Sequence, residues 1–365
     1  MLNFAPTEEQ EEIRNLARSV AVEQLRPQGR EAERNGDISP FLLQTLAQTG
    51  LTTPFPEQFG GSGPIEAITY ALIAEELGFG DGALALNVIG SMMGPLAVLF
   101  AGNEQQQEQY IAPFADEHNG STRRGSFAFA EHTGGYTLSD ILTTARREGD
   151  RYILNGSKRD VIHGADSSPR VVLARLEGTN GAEGLLALML PQDASGLEIR
   201  ADSEKLGLSA APSASYYFHN TPVPASCLLG QEGNSGAVRA ATLYNILRAG
   251  VACGMARAAL EYAIGYAKER IAFGRPIASY QGIAFMISEM AMKLDAARLM
   301  VWRAATEWDS GVDTQTLARD AEAAQSQAVR IAKSATLDAI QVLGGAGFMR
   351  DHPVEMWARN AAAME

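Results

Sequence analysis

The chain has 365 residues, 46% of them hydrophobic, two cysteines and a net charge of −13. That length allows two or three domains with a buried core, and the acidic balance weighs against nucleic acid and anionic membrane surfaces as partners. Cys227 and Cys253 have no metal or redox spacing, which fits free thiols in a reducing, cytoplasmic setting, and the acidic start from Met1 to Gln10 has no signal-peptide pattern.

The first third of the chain has helical texture. Thr7 and Gln10 have capping-box spacing, with Pro6 just before them. Ile13, Leu16, Ala17, Val20 and Leu25 then recur at helical intervals. A second short helix is expected from Phe41 to Thr49, closed by Gly50. Gly50 to Gly63 is rich in glycine and proline and reads as a loop. Ile65 to Phe79 is again helical and contains Glu75 and Glu76. The uncharged run Ala83 to Phe100 is interrupted by Asn87, Gly90, Ser91, Gly94 and Pro95, so it reads as a buried helix pair and not as a membrane span. Residues 1–120 are therefore expected to form an all-α domain.

The texture changes near Gly120. Arg124 to Ala130 alternates, and Asp150 to Lys158 reads as a strand ending in an Asn155-Gly156 turn. Arg170 to Arg175, Gly184 to Leu190 and Ala214 to His219 are further strands. Residues 121–230 are expected to be an antiparallel β domain. From Ser235 helices return, over Val238 to Glu269, Ala284 to Ser310, Thr314 to Leu343 and Pro353 to Glu365. Residues 231–365 thus read as a four-helix bundle, which makes the chain α+β overall.

Two landmarks lie in this last part. Arg270-Ile-Ala-Phe-Gly-Arg-Pro-Ile-Ala-Ser-Tyr-Gln281 puts an arginine at a helix end, then a Gly-Pro break, then a glutamine opening the next helix. An arginine beside helix-start amides suits a pyrophosphate. Gln341-Val-Leu-Gly-Gly-Ala-Gly-Phe348 ends a helix in a glycine turn where backbone can approach a ligand closely. Both landmarks resemble the FAD-binding half of the acyl-CoA dehydrogenase family. So do Gly50 to Gly63, Gly102 to Pro113, Glu204 to Leu208 and Thr221 to Ala225, and the resemblance is collinear from Thr7 to Arg359. It implies a helical, β and helical architecture, FAD shared with a neighbouring subunit, an acyl-CoA substrate and an electron-transfer flavoprotein as acceptor. It also implies that Arg270, Phe273, Gln281, Gln341 and Gly345 grip the ADP end of a flavin seated mainly in that neighbour.

The elements that would hold the flavin ring and substrate depart from the family pattern. A segment close to Thr-Glu-Pro-x-Ala-Gly-Ser-Asp is Ala130 to Thr137 here, with Glu131 and Gly135 kept, Ala130 in place of a hydroxyl residue and Tyr136 in place of serine. The family's Trp-Ile-Thr is Asp160-Val-Ile162. The substrate arginine aligns with Asn245, while Arg248 lies three residues later on the same face. The family's usual base lies beyond Glu365, and its alternative position is Tyr244. Glu365 reads as a frayed terminus. No catalytic residue and no metal site is assigned, His118, His132, His163, His219 and His352 being scattered. Histidines in loops and at edges usually have structural roles or none; His132 and His163 fall in the two altered segments, which leaves a meeting near the flavin site as the alternative.

These departures match the base-less partner subunit of heteromeric acyl-CoA dehydrogenases, among them those that degrade steroid side chains. The expected partner is a catalytic acyl-CoA dehydrogenase subunit. Two alternatives stay open: an ordinary homotetramer with an atypical pocket and a truncated tail, and a non-enzymatic binding or scaffold protein on the same fold.

Overall fold

The computed structural model describes residues 6–365 except 64, 117, 118, 134, 203 and 234, so His118 lies outside the described residues. The chain opens with α1 (Glu8–Val20), capped by the Thr7–Gln10 box. It continues through one π-turn at Ala21–Leu25 into α2 (Arg26–Asn35). Pro27 is tolerated in the first turn of α2, where its missing N–H is no loss.

α3 (Pro40–Gln48), α4 (Ala67–Gly80), α5 (Gly82–Ala101) and α6 (Glu104–Tyr110) follow. The expected helix pair over 83–100 is a single helix, α5, with Pro95 inside it. Pro95 leaves the Ser91 carbonyl without its helical donor, and the Gly125 N–H supplies one at 2.9 Å. By length and hydropathy α5 could cross a membrane, but 89% of its apolar window is buried within the protein.

Seven strands follow: β1 (Ser126–Ala128), β2 (Thr144–Glu148), β3 (Arg151–Ile162), β4 (Arg170–Leu176), β5 (Leu185–Met189), β6 (Leu197–Ala201) and β7 (Ser213–Pro224). β2 and β6 went unread because exposed charged residues dominate them. The sheet is mixed. β4 pairs with β5 antiparallel and with β1 and β2 parallel, and β2–β3–β7–β6 continue antiparallel. Asn155-Gly156 is no turn. β3 runs through it with a register shift, and Gly156, at φ +138, brings its backbone so close to Thr143 that a Cβ would lie 2.7 Å from the Thr143 Cα.

The last part contains α7 (Gly236–Glu269), a short hairpin of β8 (Ile271–Ala272) and β9 (Arg275–Pro276), α8 (Gln281–Ser310), α9 (Thr314–Leu343) and α10 (Val354–Ala362). α7 lies at the centre, against α4, α5, α8 and α9. Gly250 and Gly254 let α4 come close, since a Cβ at Gly254 would sit 2.1 Å from the Glu75 carbonyl oxygen. Met290 is buried in the bundle, whereas Met292 points out, 66% exposed. Phe285, Met292 and Leu299 mark one exposed apolar stripe at seven-residue spacing on α8.

His163 sits where β3 ends against α5, at φ +57, with Nε2 3.1 Å from both the Asn87 carbonyl oxygen and its Oδ1. Burial pushes this imidazole down to about 4, and the Arg124 guanidinium adds to the shift, against Asp37. An unfolded histidine takes its proton near 6.5, so the unfolded state binds more protons between pH 6.5 and 4 and stability falls as pH falls through that window. Asp81, the buried N-cap of α5, is pushed up to about 6 by burial and works in the opposite sense. His163→Asn is therefore the informative comparison, because asparagine tolerates positive φ. Urea midpoints of the variant should lose less than those of the parent between pH 6.5 and 4; parallel curves would contradict the assignment.

Candidate functional site: an exposed grip and a closed seat

Helices α7, α8 and α9 run up, down and up, joined by short connections, so the C-terminus of α7, the start of α8 and the C-terminus of α9 share one end of the bundle. All five residues expected to contact a flavin lie there. Arg270 is the C-cap residue of α7, and its N–H donates to the Tyr266 carbonyl. Its exposed side chain has no ion pair among the described residues. Phe273, at φ +51, is 98% exposed at the hairpin tip, next to Gly274 at φ +82. Gln281 opens α8 and Gln341 lies in the last turn of α9, both exposed. A Cβ at Gly345 would meet nothing within 4 Å, so a ligand can approach that backbone. These are unengaged donors and one aromatic surface facing outward, a set suited to a group held partly by another chain.

The ring seat looks different. Ala130 and Tyr136 are buried. The Tyr136 ring meets Phe129 edge-on at 5.6 Å and Tyr244 at 6.0 Å, and Tyr244 meets Phe127 at 6.5 Å. The Arg248 guanidinium lies 3.8 Å from the Tyr136 ring centre, and its Nη2 donates to the Met364 carbonyl at 2.9 Å. Arg248 thus lies covered by the Tyr136 ring. Asn245 is buried, with Nδ2 donating to the Tyr136 carbonyl at 3.1 Å. Burial raises the Tyr244 phenol, which makes it no base. Ile162 packs on α5 so tightly that a Cβ at Gly90 would lie 2.5 Å from its Cγ2. Asp160, at φ +52, is ion-paired to Arg159.

Two expectations need correcting here. Glu365 is not frayed: Lys333 pairs with its carboxylate at 2.5 Å, and Arg159 donates to its backbone oxygen at 3.2 Å. His132 and His163 do not meet, since His132 stacks on Tyr217 at 6.0 Å while His163 contacts Asn87. Arg159 went unremarked in the sequence, yet it ties Asp160, the Glu131 carbonyl and Glu365 together. Its one visible signal was the Arg-Asp pair in place of an aromatic wall. Glu131 is structural. It is buried, paired with Lys158 at 2.7 Å, and accepts from the amides of Leu142 and Thr143.

A cleft of about 820 Å³ opens beside this cluster, between the sheet loops and the starts of α7 and α9, with Leu138, Asn180, Ser235, Arg319 and Glu322 among its lining. Glu322 accepts from the Leu138 N–H at 2.8 Å, and burial raises its carboxyl. Among the described residues no cluster of histidine, cysteine and carboxylates could hold a metal. Cys227 and Cys253 are both free.

The family models for the acyl-CoA dehydrogenase N-terminal, middle and C-terminal domains match residues 7–118, 126–221 and 234–365. The chain belongs to the acyl-CoA dehydrogenase family. An acyl-CoA dehydrogenase of Bacillus subtilis (strain 168) is 33% identical over 360 residues, covering 97% of this chain and 93% of that one. Cyclohex-1-ene-1-carbonyl-CoA dehydrogenase of Syntrophus aciditrophicus (strain SB) is 32% identical over 358 residues, covering 97% and 85%. The structure of butyryl-CoA dehydrogenase from Megasphaera elsdenii superimposes with a TM-score of 0.83 at 29% identity, over 100% of this chain and 95% of that one.

As an acyl-CoA dehydrogenase-family protein the chain has the oxidoreductase fold of that family, and the family implies FAD. The two ends of its site answer differently to that cofactor. The exposed grip fits the ADP part. The seat expected for the ring does not fit, because the Tyr136 and Tyr244 rings pack on each other there, Ile162 packs on α5, and the Tyr136 hydroxyl, the Asn245 Oδ1 and the Arg248 Nε are left buried without partners. This chain's own seat therefore does not suit a flavin ring.

Proposed function

We propose that this chain is the non-catalytic partner subunit of a heteromeric acyl-CoA dehydrogenase. In that assembly it lends Arg270, Phe273, Gln281, Gln341 and Gly345 to a flavin whose ring is seated in a catalytic subunit. The observation that carries the reading is the asymmetry of the two ends: an unengaged, exposed grip and an own seat filled by Tyr136, Tyr244 and Arg248. The domains meant are residues 1–120, 121–230 and 231–365, with the last forming the oligomer core. The exposed stripe of Phe285, Met292 and Leu299 supports that role for it. Cytoplasmic placement and a steroid side-chain acyl-CoA as substrate belong to this reading, as does an electron-transfer flavoprotein as acceptor.

A second reading, an ordinary homotetrameric dehydrogenase with an atypical pocket, is favoured by the 820 Å³ cleft, a volume within the usual range for small-molecule sites. Flavin absorbance per protein mass separates the two. The partner reading expects a colourless chain on its own and one flavin per pair when co-purified with a catalytic acyl-CoA dehydrogenase subunit. A yellow homotetramer of this chain with a full complement of flavin would establish the second.

A further inference from the structure

We propose that Arg248 anchors a binding site for a short-chain carboxylate in the interior of this chain. The guanidinium is 3% exposed and has no ion pair among the described residues. It bonds only neutral groups, the Met364 carbonyl through Nη2 and the Tyr244 hydroxyl, and its Nε has no partner. Asp160 is the acid whose charge reaches Arg248, Tyr136 and Tyr244, but Arg159 already holds it. A buried cation without an anion is half of an ion pair, and it is the costly half.

Two more orphans adjoin it. The Tyr136 hydroxyl and the Asn245 Oδ1 are buried and unpartnered, and the two residues are joined by the Asn245 Nδ2 bond to the Tyr136 carbonyl. Orphaned groups gathered this closely call for a common partner. The chemistry of the set identifies it. The guanidinium fork suits a planar carboxylate better than a spherical ion, and the Tyr136 hydroxyl supplies a further donor. The Asn245 Oδ1 is an acceptor and favours a ligand that carries a hydroxyl. Phe127, Phe129 and Tyr244 offer an apolar wall for a short hydrocarbon tail.

Tyr136 is the roof of the site. Its ring covers the guanidinium at 3.8 Å, but its hydroxyl makes no bond, so lifting it breaks ring contacts and no side-chain hydrogen bond. Gly135, at φ +59, precedes it in the chain. The site shares with the partner reading only the exclusion of a flavin ring. It is assayed by carboxylate binding, whereas the partner reading is assayed by flavin content, so either can fail alone.

The test is isothermal titration of the full chain with sodium butyrate and sodium 3-hydroxybutyrate, with sodium chloride at matched ionic strength as the blank. Both carboxylates should bind, the hydroxy acid more tightly. Arg248→Met should weaken both by about tenfold or more, as loss of a charge-assisted hydrogen bond does. Tyr136→Phe, which keeps the ring and removes the hydroxyl donor, should bind butyrate less tightly than the parent. If Arg248→Met fails to fold, Arg248→Lys keeps the charge without the fork and should bind more weakly than the parent. Absence of binding by the parent, or binding unchanged by loss of the fork, would overturn the proposal.

Discussion

Lys158→Met is expected to destabilise the chain by about 3–5 kcal/mol, the usual consequence of removing one member of a buried ion pair. Lys158 is fully buried in β3, where its Nζ donates to the Glu131 carboxylate at 2.7 Å and to the Phe129 carbonyl at 3.1 Å. Glu131 also receives two backbone amides, from Leu142 and Thr143, at 2.7 and 2.9 Å. Removing the ammonium leaves that carboxylate in the interior without its paired cation. Urea denaturation at neutral pH measures the loss. The double variant Lys158→Met with Glu131→Gln should recover a good part of it, because no charge is then stranded. A single variant within about 1 kcal/mol of the parent, the range of a surface pair, would show that the pair does not hold the sheet to the 131–143 segment.

Arg270→Ala should lower flavin retention in the assembled protein by roughly ten- to a hundredfold. The estimate takes one charge-assisted hydrogen bond at about 1.5–3 kcal/mol and a tenfold change per 1.4 kcal/mol. Arg270 suits this test because its side chain contributes nothing visible to the chain's own stability: it is exposed and unpaired among the described residues, and the cap of α7 is made by its backbone N–H. The measurement is flavin remaining on the complex after dialysis, with the melting temperature of this chain as a control. Equal retention by variant and parent would remove Arg270 from the flavin site, whatever the fate of the other four residues.

Much of the fold was legible because its signals are local. The Thr7–Gln10 box, the glycine at position 50 and the long periodic runs after Ser235 each specify an element from neighbouring residues alone. Failures came where a distant group completes a local defect. Pro95 looked like a helix break because nothing nearby in sequence says that the Gly125 N–H will take the Ser91 carbonyl. Asn155-Gly156 looked like a hairpin because the close approach of Thr143 is a tertiary fact.

The site divided along the same line. The outward residues from Arg270 to Gln281 and from Gln341 to Gly345 sit in contiguous motifs and could be picked out by their resemblance to the family. The closed seat draws Tyr136, Asp160, Tyr244 and Arg248 from three separate segments. The sequence signalled that each was unusual, and only the fold placed Tyr136 over Arg248.

The stripe of Phe285, Met292 and Leu299, with Phe273 standing out at the hairpin tip, also bears on how long the chain survives in a cell. Chaperones and proteases recognise apolar surface on a protein that has failed to assemble as readily as on one that has failed to fold. A chain carrying such a face is protected only while something covers it. In the proposed heteromer, its steady-state amount should therefore follow the supply of the catalytic subunit more closely than its own rate of synthesis, and surplus copies should be removed.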